Sequence, residues 1–227
     1  MKIGILKNKY NIFLNLYLKK LDRIPKKDIF LIFENSKFPK RNKDIINKRL
    51  TPKYKNELLK NKKNLSFIKK YKYFNFKSLN MEIYNRVLKK EKINFFLNAG
   101  IMEIIKNKYL YNKIINIHPA DLPSYRGCTC PEWTIYNNDV PCLTAHLINR
   151  KIDSGKIIEK KKIKKKFKNY QDFRTRLYLE SINLGSSIIK KLYKKKKLKL
   201  YSQLGKGKYY KPIPNRIFKQ VKNSFNK

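Results

Sequence analysis

The chain has 227 residues, 41% of them apolar and 13% aromatic, enough for one large domain with a sizeable core despite 32% charged residues. No apolar run approaches the ~20 residues of a membrane helix, and Met1–Leu6 lacks the longer apolar region and small-residue cleavage site of a secretion signal, so a cytoplasmic setting with no membrane partner is expected. The cysteines, Cys128, Cys130 and Cys142, are odd in number and clustered, which argues against a disulfide framework in such a compartment.

The formal charge is +42, from 57 basic and 15 acidic residues. One reading is a binder of nucleic acid or another anionic surface. The other is codon bias, because Lys, Asn, Ile and Tyr are abundant everywhere. Only nine of the basic residues are Arg, the better bidentate phosphate reader, and Lys is spread along the whole chain. Bias with a solvated surface is therefore preferred. Nonspecific attraction of polyanions is expected in either case.

In chain order, Lys2 to Lys7 reads as a first strand. Asn11 to Leu21 carries Ile12, Phe13, Leu16, Tyr17 and Leu21 at helical spacing. Asp28 to Glu34 is a second apolar run and a buried strand. Ser36 to about Lys63 is polar and poorly periodic, a helix and loop or a mobile excursion. Tyr71 to Phe76 reads as a short strand. Ser78 is placed as the N-cap of a helix striped by Leu79, Ile83, Val87 and Leu88. Ile93 to Leu97 is the next strand, Ile101 to Ile105 a short helix, and Ile114 to Ile117 a further strand. A helix around Glu132 to Asn137 precedes strands near Thr144 to Ile148 and Ile157 to Ile163. Tyr170 to about Lys194 is the longest helical pattern and ends in a Lys run without a cap. Tyr201 to Lys227 is basic, aromatic and irregular. Strands alternating with helices indicate an α/β class with a parallel sheet.

The strand ending in Asn116-Ile117-His118 organises the rest. Alternation puts Asn116 and His118 on one face at its C-terminal end. Pro119 and Pro123 cannot continue a ladder, so a loop begins there. Ligands of open α/β sheets bind outside the carboxyl ends of strands. An amide and an imidazole at that edge suit holding a carbonyl and moving a proton. Downstream, Ile152-Asp153-Ser154-Gly155 offers a carboxylate in a turn between two apolar runs.

Asn-x-His-Pro, Leu-Pro-x-Tyr-Arg-Gly, Thr-Ala-His and Ile-Asp-Ser-Gly-x-Ile-Ile, in this order and spacing, resemble the folate-dependent formyltransferases. That family includes glycinamide ribonucleotide, methionyl-tRNA and sugar amine N-formyltransferases. The resemblance is sharp from Leu97 to Ile163 and faint elsewhere. It implies the formyltransferase fold, a Rossmann-like, mostly parallel sheet flanked by helices. The expected division is a catalytic domain over residues 1–196 and a basic C-terminal extension over 197–227.

The resemblance implies 10-formyltetrahydrofolate as co-substrate and a primary amine as acceptor, and it needs no metal. It implies that Asn116 stabilises the developing alkoxide, that His118 assists proton transfer, and that Asp153 positions and polarises His118. Leu97, Ala99, Gly100, Ile101 and Met102 resemble the family's folate loop, and Ile152 and Ser154, beside Asp153, would close the other side of the pterin pocket. His146 either faces the substrate or makes a structural hydrogen bond. Arg126 is either a substrate or phosphate anchor or an ordinary loop arginine. Cys128 and Cys130 with Cys142 and His146 invite a zinc reading, which the Cys-x-Cys spacing disfavours.

About 30 residues follow the long helix, too few for the C-terminal domain with which methionyl-tRNA formyltransferases help hold tRNA. This shifts the expected acceptor toward a small amine, such as an amino sugar on a nucleotide carrier. A methionyl-tRNA formyltransferase-like enzyme and a formyltetrahydrofolate hydrolase are the enzymatic alternatives. A basic nucleic-acid-binding protein on a degenerate formyltransferase fold is the non-enzymatic one.

Overall fold

Strand β1 (Lys2–Asn8) is an interior strand, third in a seven-stranded sheet. The computed structural model describes residues 1–8, 13–34, 49–55, 65–101, 103–164 and 166–226. Most of the polar stretch 36–63, the start of the first helical pattern at 11–12, and Met102 lie outside the described residues. The other strands are β2 (Ile29–Glu34), β3 (Lys72–Phe76), β4 (Ile93–Asn98), β5 (Ile114–His118), β7 (Cys142–Leu147) and β8 (Ile157–Lys162). Their order is β3-β2-β1-β4-β5-β7-β8. The first five run parallel, while β7 is antiparallel to both β5 and β8. The mostly parallel α/β architecture is thus as expected.

Both faces are covered, as a parallel sheet requires. On one face α1 (Leu14–Lys20) and α4 (Tyr170–Tyr193) pack against Ile3, Ile5, Leu97, Ile115 and Ala145. On the other, Leu6, Ile32, Phe96 and Ile114 meet Leu79 and Leu88, the latter from α2 (Ile83–Lys90). Burying each such side chain fully is worth about 1.5–3 kcal/mol relative to exposure. These two layers hold β4 and β5 rigidly, and their C-terminal ends carry the site.

Four local expectations are corrected. No helix spans Ile101 to Ile105 among the described residues. Instead, the Asn80 side-chain carbonyl accepts from the backbone N–H groups of Lys106 and Asn107, and Glu103 accepts from Leu79 N–H. Side chains distant in sequence thereby fix this segment as a loop. Ser78 does not cap α2, whose N-cap is Glu82; Ser78 bonds to Glu103 and accepts from Asn80 N–H.

Helix α4 does have a C-terminal cap. Lys195 takes φ +59°, Lys195 N–H donates to Leu192 O (2.8 Å) and Lys196 N–H to Lys191 O (3.0 Å), a Schellman arrangement without glycine. Finally, the tail is not irregular. It contains β9 (Lys208–Tyr210), which pairs in parallel with β6 (Tyr125–Gly127), and α5 (Asn215–Asn223). Its Phe218 and Phe225 join Tyr170 and Phe173 in an aromatic cluster.

Candidate active site

β5 ends as the alternation demands. Asn116 and His118 face the same side, and the antiparallel register sets Asn116 opposite His146 and His118 opposite Thr144. The loop after β7 folds back over this face and brings in Asp153. That fold-back depends on Gly155, where a Cβ would lie 1.7 Å from Leu147 O. Asp153 itself takes φ +50°, a left-handed conformation that costs a non-glycine residue roughly 1–2 kcal/mol.

A hydrogen-bond chain fixes the orientation of each amide and imidazole. Asn98 Oδ1 accepts from Gly100 N–H and Ile101 N–H, both at 2.9 Å, with Gly100 at φ +119° in the tight turn. The Asn98 Nδ2 group must then point at Asn116 Oδ1, 2.9 Å away. This turns Asn116 Nδ2 toward His146 Nε2 at 3.1 Å. His146 Nδ1 lies 3.0 Å from the carbonyl of Leu147 and so carries the proton, leaving Nε2 to accept. Among the described residues, Asn116 Nδ2 has this one acceptor for its two hydrogens, so one remains for a ligand.

His118 is 4% exposed, and its Nε2–H donates to Tyr125 O at 2.7 Å. Its Nδ1 lone pair faces Asp153 Oδ2 at 3.6 Å, while Asp153 Oδ1 is 3.6 Å from His146 Nε2. Asp153 Oδ2 also accepts from Gly127 N–H at 2.9 Å. Burial pulls His118 below the usual imidazole value, against opposing contributions from Asp153 and the Tyr125 carbonyl. Burial likewise pulls His146 down to about 4, partly offset by Asp153. Both rings are therefore neutral at pH 7. The 3.6 Å separations become ion pairs only when a ring takes up a proton.

The three side chains Asn116, His118 and Asp153 thus converge, with His146 as the partner that orients Asn116. Leu97, Ala99 and Ile101 are buried in the core, and Ile152 is 41% exposed on the loop beside Asp153. Ser154 Oγ donates within that loop, at 2.9 Å to Asn149 Oδ1 and 3.0 Å to Lys151 O. Arg126 Nη2 donates to Gln203 Oε1 at 2.8 Å. The cysteines are free, and burial pushes the Cys130 and Cys142 thiols upward. Asn98 lies within the Leu97 to Met102 stretch that resembles the folate loop, but its hydrogen bonding was legible only from its place two before Gly100, a position suited to an Asx turn.

The formyl transferase family model matches residues 27–172, well over half of the chain. The chain belongs to the formyl transferase family. Solved formyltransferases share its fold. A 4-N formyltransferase from Francisella tularensis gives a TM-score of 0.62 at 18% identity, covering 93% of this chain and 76% of its own. An N-formyltransferase from Helicobacter canadensis, solved with folinic acid and dTDP-3-aminofucose, gives 0.61 at 19%, covering 92% and 70%. A phosphoribosylglycinamide formyltransferase from Anaplasma phagocytophilum gives 0.59 at 18%, covering 93% and 98%. No helix among the described residues of this formyltransferase is long and apolar enough to cross a membrane.

Proposed function

We propose that this formyltransferase moves a formyl group from 10-formyltetrahydrofolate to a primary amine, with a small nucleotide-linked amino sugar as the acceptor class. The observation that carries the reading is the convergence of Asn116, His118 and Asp153, with the His118 Nδ1 lone pair 3.6 Å from Asp153 Oδ2. The residues present fit such a donor. Asn116 has an amide hydrogen to give to a carbonyl oxygen, and Ile152 offers an exposed apolar face beside the carboxylate. The small-acceptor part rests on the sugar N-formyltransferases among the structural relatives and on the dTDP-3-aminofucose bound to one of them.

When bound, the formyl donor supplies an electrophilic carbonyl carbon. Asn116 Nδ2–H then points at the oxygen that gains charge when the amine attacks, and the Asn98 hydrogen bonds hold it there. The attacking nitrogen becomes an ammonium and must lose a proton. His118 Nδ1 is the free lone pair that takes it, directly or through water. The resulting imidazolium donates from Nε2 to Tyr125 O and faces Asp153 Oδ2 through Nδ1, so both of its N–H groups meet oxygen. The same proton then serves the leaving nitrogen, and the ring returns to neutral.

The test is a screen of amine acceptors with 10-formyltetrahydrofolate, reading tetrahydrofolate release. Release that depends on a nucleotide-linked amino sugar is the expected result. Release without any amine would instead mark a hydrolase, and preferential formylation of charged initiator tRNA would replace the acceptor class.

A further inference from the structure

We infer that Gln203, in the C-terminal tail, is a positioning residue that clamps the Asp153 loop onto the catalytic face. The inference rests on the formyl-transfer reading for its kinetic consequence, and on geometry alone for the clamp. Gln203 Nε2 donates to Asp153 O at 3.0 Å and to Gly155 O at 2.8 Å. Gln203 Oε1 accepts from Arg126 Nη2 at 2.8 Å. Both amide hydrogens and the amide oxygen are therefore engaged, and the side chain has one sensible orientation.

These contacts close a ring. Arg126 belongs to β6, whose next residue, Gly127, donates its N–H to Asp153 Oδ2. Asp153 is thus held by its carboxylate from β6 and by its backbone carbonyl from Gln203, which is itself held by β6 through Arg126. The tail is pinned on both sides of Gln203. Tyr201 and Ile157 exchange two backbone hydrogen bonds at 2.8 Å, and β9 pairs with β6.

Such a clamp answers a physical need. A non-glycine residue at φ +50° persists only where its surroundings over-determine it. The carboxylate must also stay near two imidazoles that it does not hydrogen-bond while they are neutral. The loop carrying Asp153 lies between β7 and β8, and Gln203 follows β8 by 41 residues (203 − 162), past the end of α4. The same ring gives Arg126 work in positioning the loop.

The experiment compares wild type, Gln203→Ala, Gln203→Glu and the control Leu204→Ser. Leu204 is 84% exposed in the same tail. The Glu variant keeps an acceptor for Arg126 and loses both donors. Two readouts are taken: kcat and KM for the amine, and the titration of nitrogen-15-labelled histidine followed by NMR. The chain has only two histidines, and both lie beside Asp153. Ionisable neighbours that also face the carboxylate are Cys130 and Tyr209.

In both Gln203 variants kcat should fall about ten- to a hundredfold, as small misplacements of catalytic groups do, with KM for the amine little changed. In Gln203→Ala, which adds no charge, both imidazole titrations should move to lower pH as the carboxylate drifts away, while Leu204→Ser matches wild type. A wild type without turnover would defeat the formyl-transfer reading, leaving the NMR to judge the clamp. Unchanged imidazole titrations in Gln203→Ala overturn the clamp whatever kcat does, and so does a Gln203→Glu variant that behaves as wild type.

Discussion

At His118 two requirements of a proton carrier meet: a lone pair free at neutral pH and oxygens ready for the charged form. Replacing His118 with Ala should lower kcat by about 10²–10⁴, with circular dichroism unchanged. Asn116→Ala should cost about 2.7–4 kcal/mol of transition-state stabilisation, read from kcat. Burial depresses the His118 pKa, and in the proposed mechanism the ring is the competent base above it. The acid limb of kcat/KM should therefore have its midpoint below pH 6.5. Asp153→Asn removes the contribution that raises that pKa, so the limb of the residual activity should move to still lower pH. An acid limb that stays in place would separate Asp153 from His118. His146 carries a linked stability effect. Its pKa is about 4 in the folded state against 6.5 unfolded, so the folded state resists protonation. The stabilisation is complete above pH 6.5 and is lost as pH falls toward 4, by about 3 kcal/mol. Urea unfolding at pH 7 and pH 4.5 should show a smaller pH effect in His146→Gln than in wild type.

The helices α3 (Cys130–Tyr136) and α4 are joined by a buried polar contact rather than by apolar packing alone. Glu132 is fully buried, accepts from Tyr170 OH at 2.6 Å, and lies 3.6 Å from Arg174 Nε and 3.9 Å from Arg49 Nε. Its charge holds the Arg174 guanidinium above its ordinary range, against burial. Removing one member of such a group leaves the other charge uncompensated. Glu132→Gln should thus destabilise by about 3–5 kcal/mol, measured as a lower urea midpoint. At this scale the sequence was legible wherever neighbours decide. The Ile114-Ile115 run and Pro119 bound β5, and alternation then set Asn116 beside His118. It was illegible wherever partners are distant. Ile101 to Ile105 has apolar spacing that a helix would share, but the Asn80 amide donates to the Ile104 carbonyl and accepts from Lys106 and Asn107 just beyond it, and the Glu103 side chain accepts from Leu79 N–H. Gln203 binds backbone carbonyls, so no residue type at position 153 or 155 announces it. The Lys195 cap escaped because left-handed backbone is ordinarily marked by Gly or Asn.

Across the whole molecule the charge of +42 acts on stability and on association in different ways. Favourable pairs are few among the described residues, and most are exposed: Lys72 with Glu91, Lys160 with Asp121, Lys161 with Glu180 and Lys191 with Glu159. Exposed pairs are each worth about 0–1 kcal/mol. The dominant surface term is then the mutual repulsion of unpaired lysines, which a compact state cannot relieve by distance. Salt screens that repulsion, with a Debye length falling from about 30 Å at 0.01 M to about 8 Å at 0.15 M. Added sodium chloride should therefore raise the melting temperature, the reverse of a fold held by surface ion pairs. Polyanions should feel the same field from outside. RNA of arbitrary sequence should bind at low salt, with log affinity falling linearly against log salt concentration. On the proposed reading, formyl transfer to a small amine depends on fixed groups at a buried edge, so near 0.2 M salt it should survive an excess of that RNA. Binding that discriminates one RNA sequence and keeps its strength in salt would show that the lysines form a dedicated site.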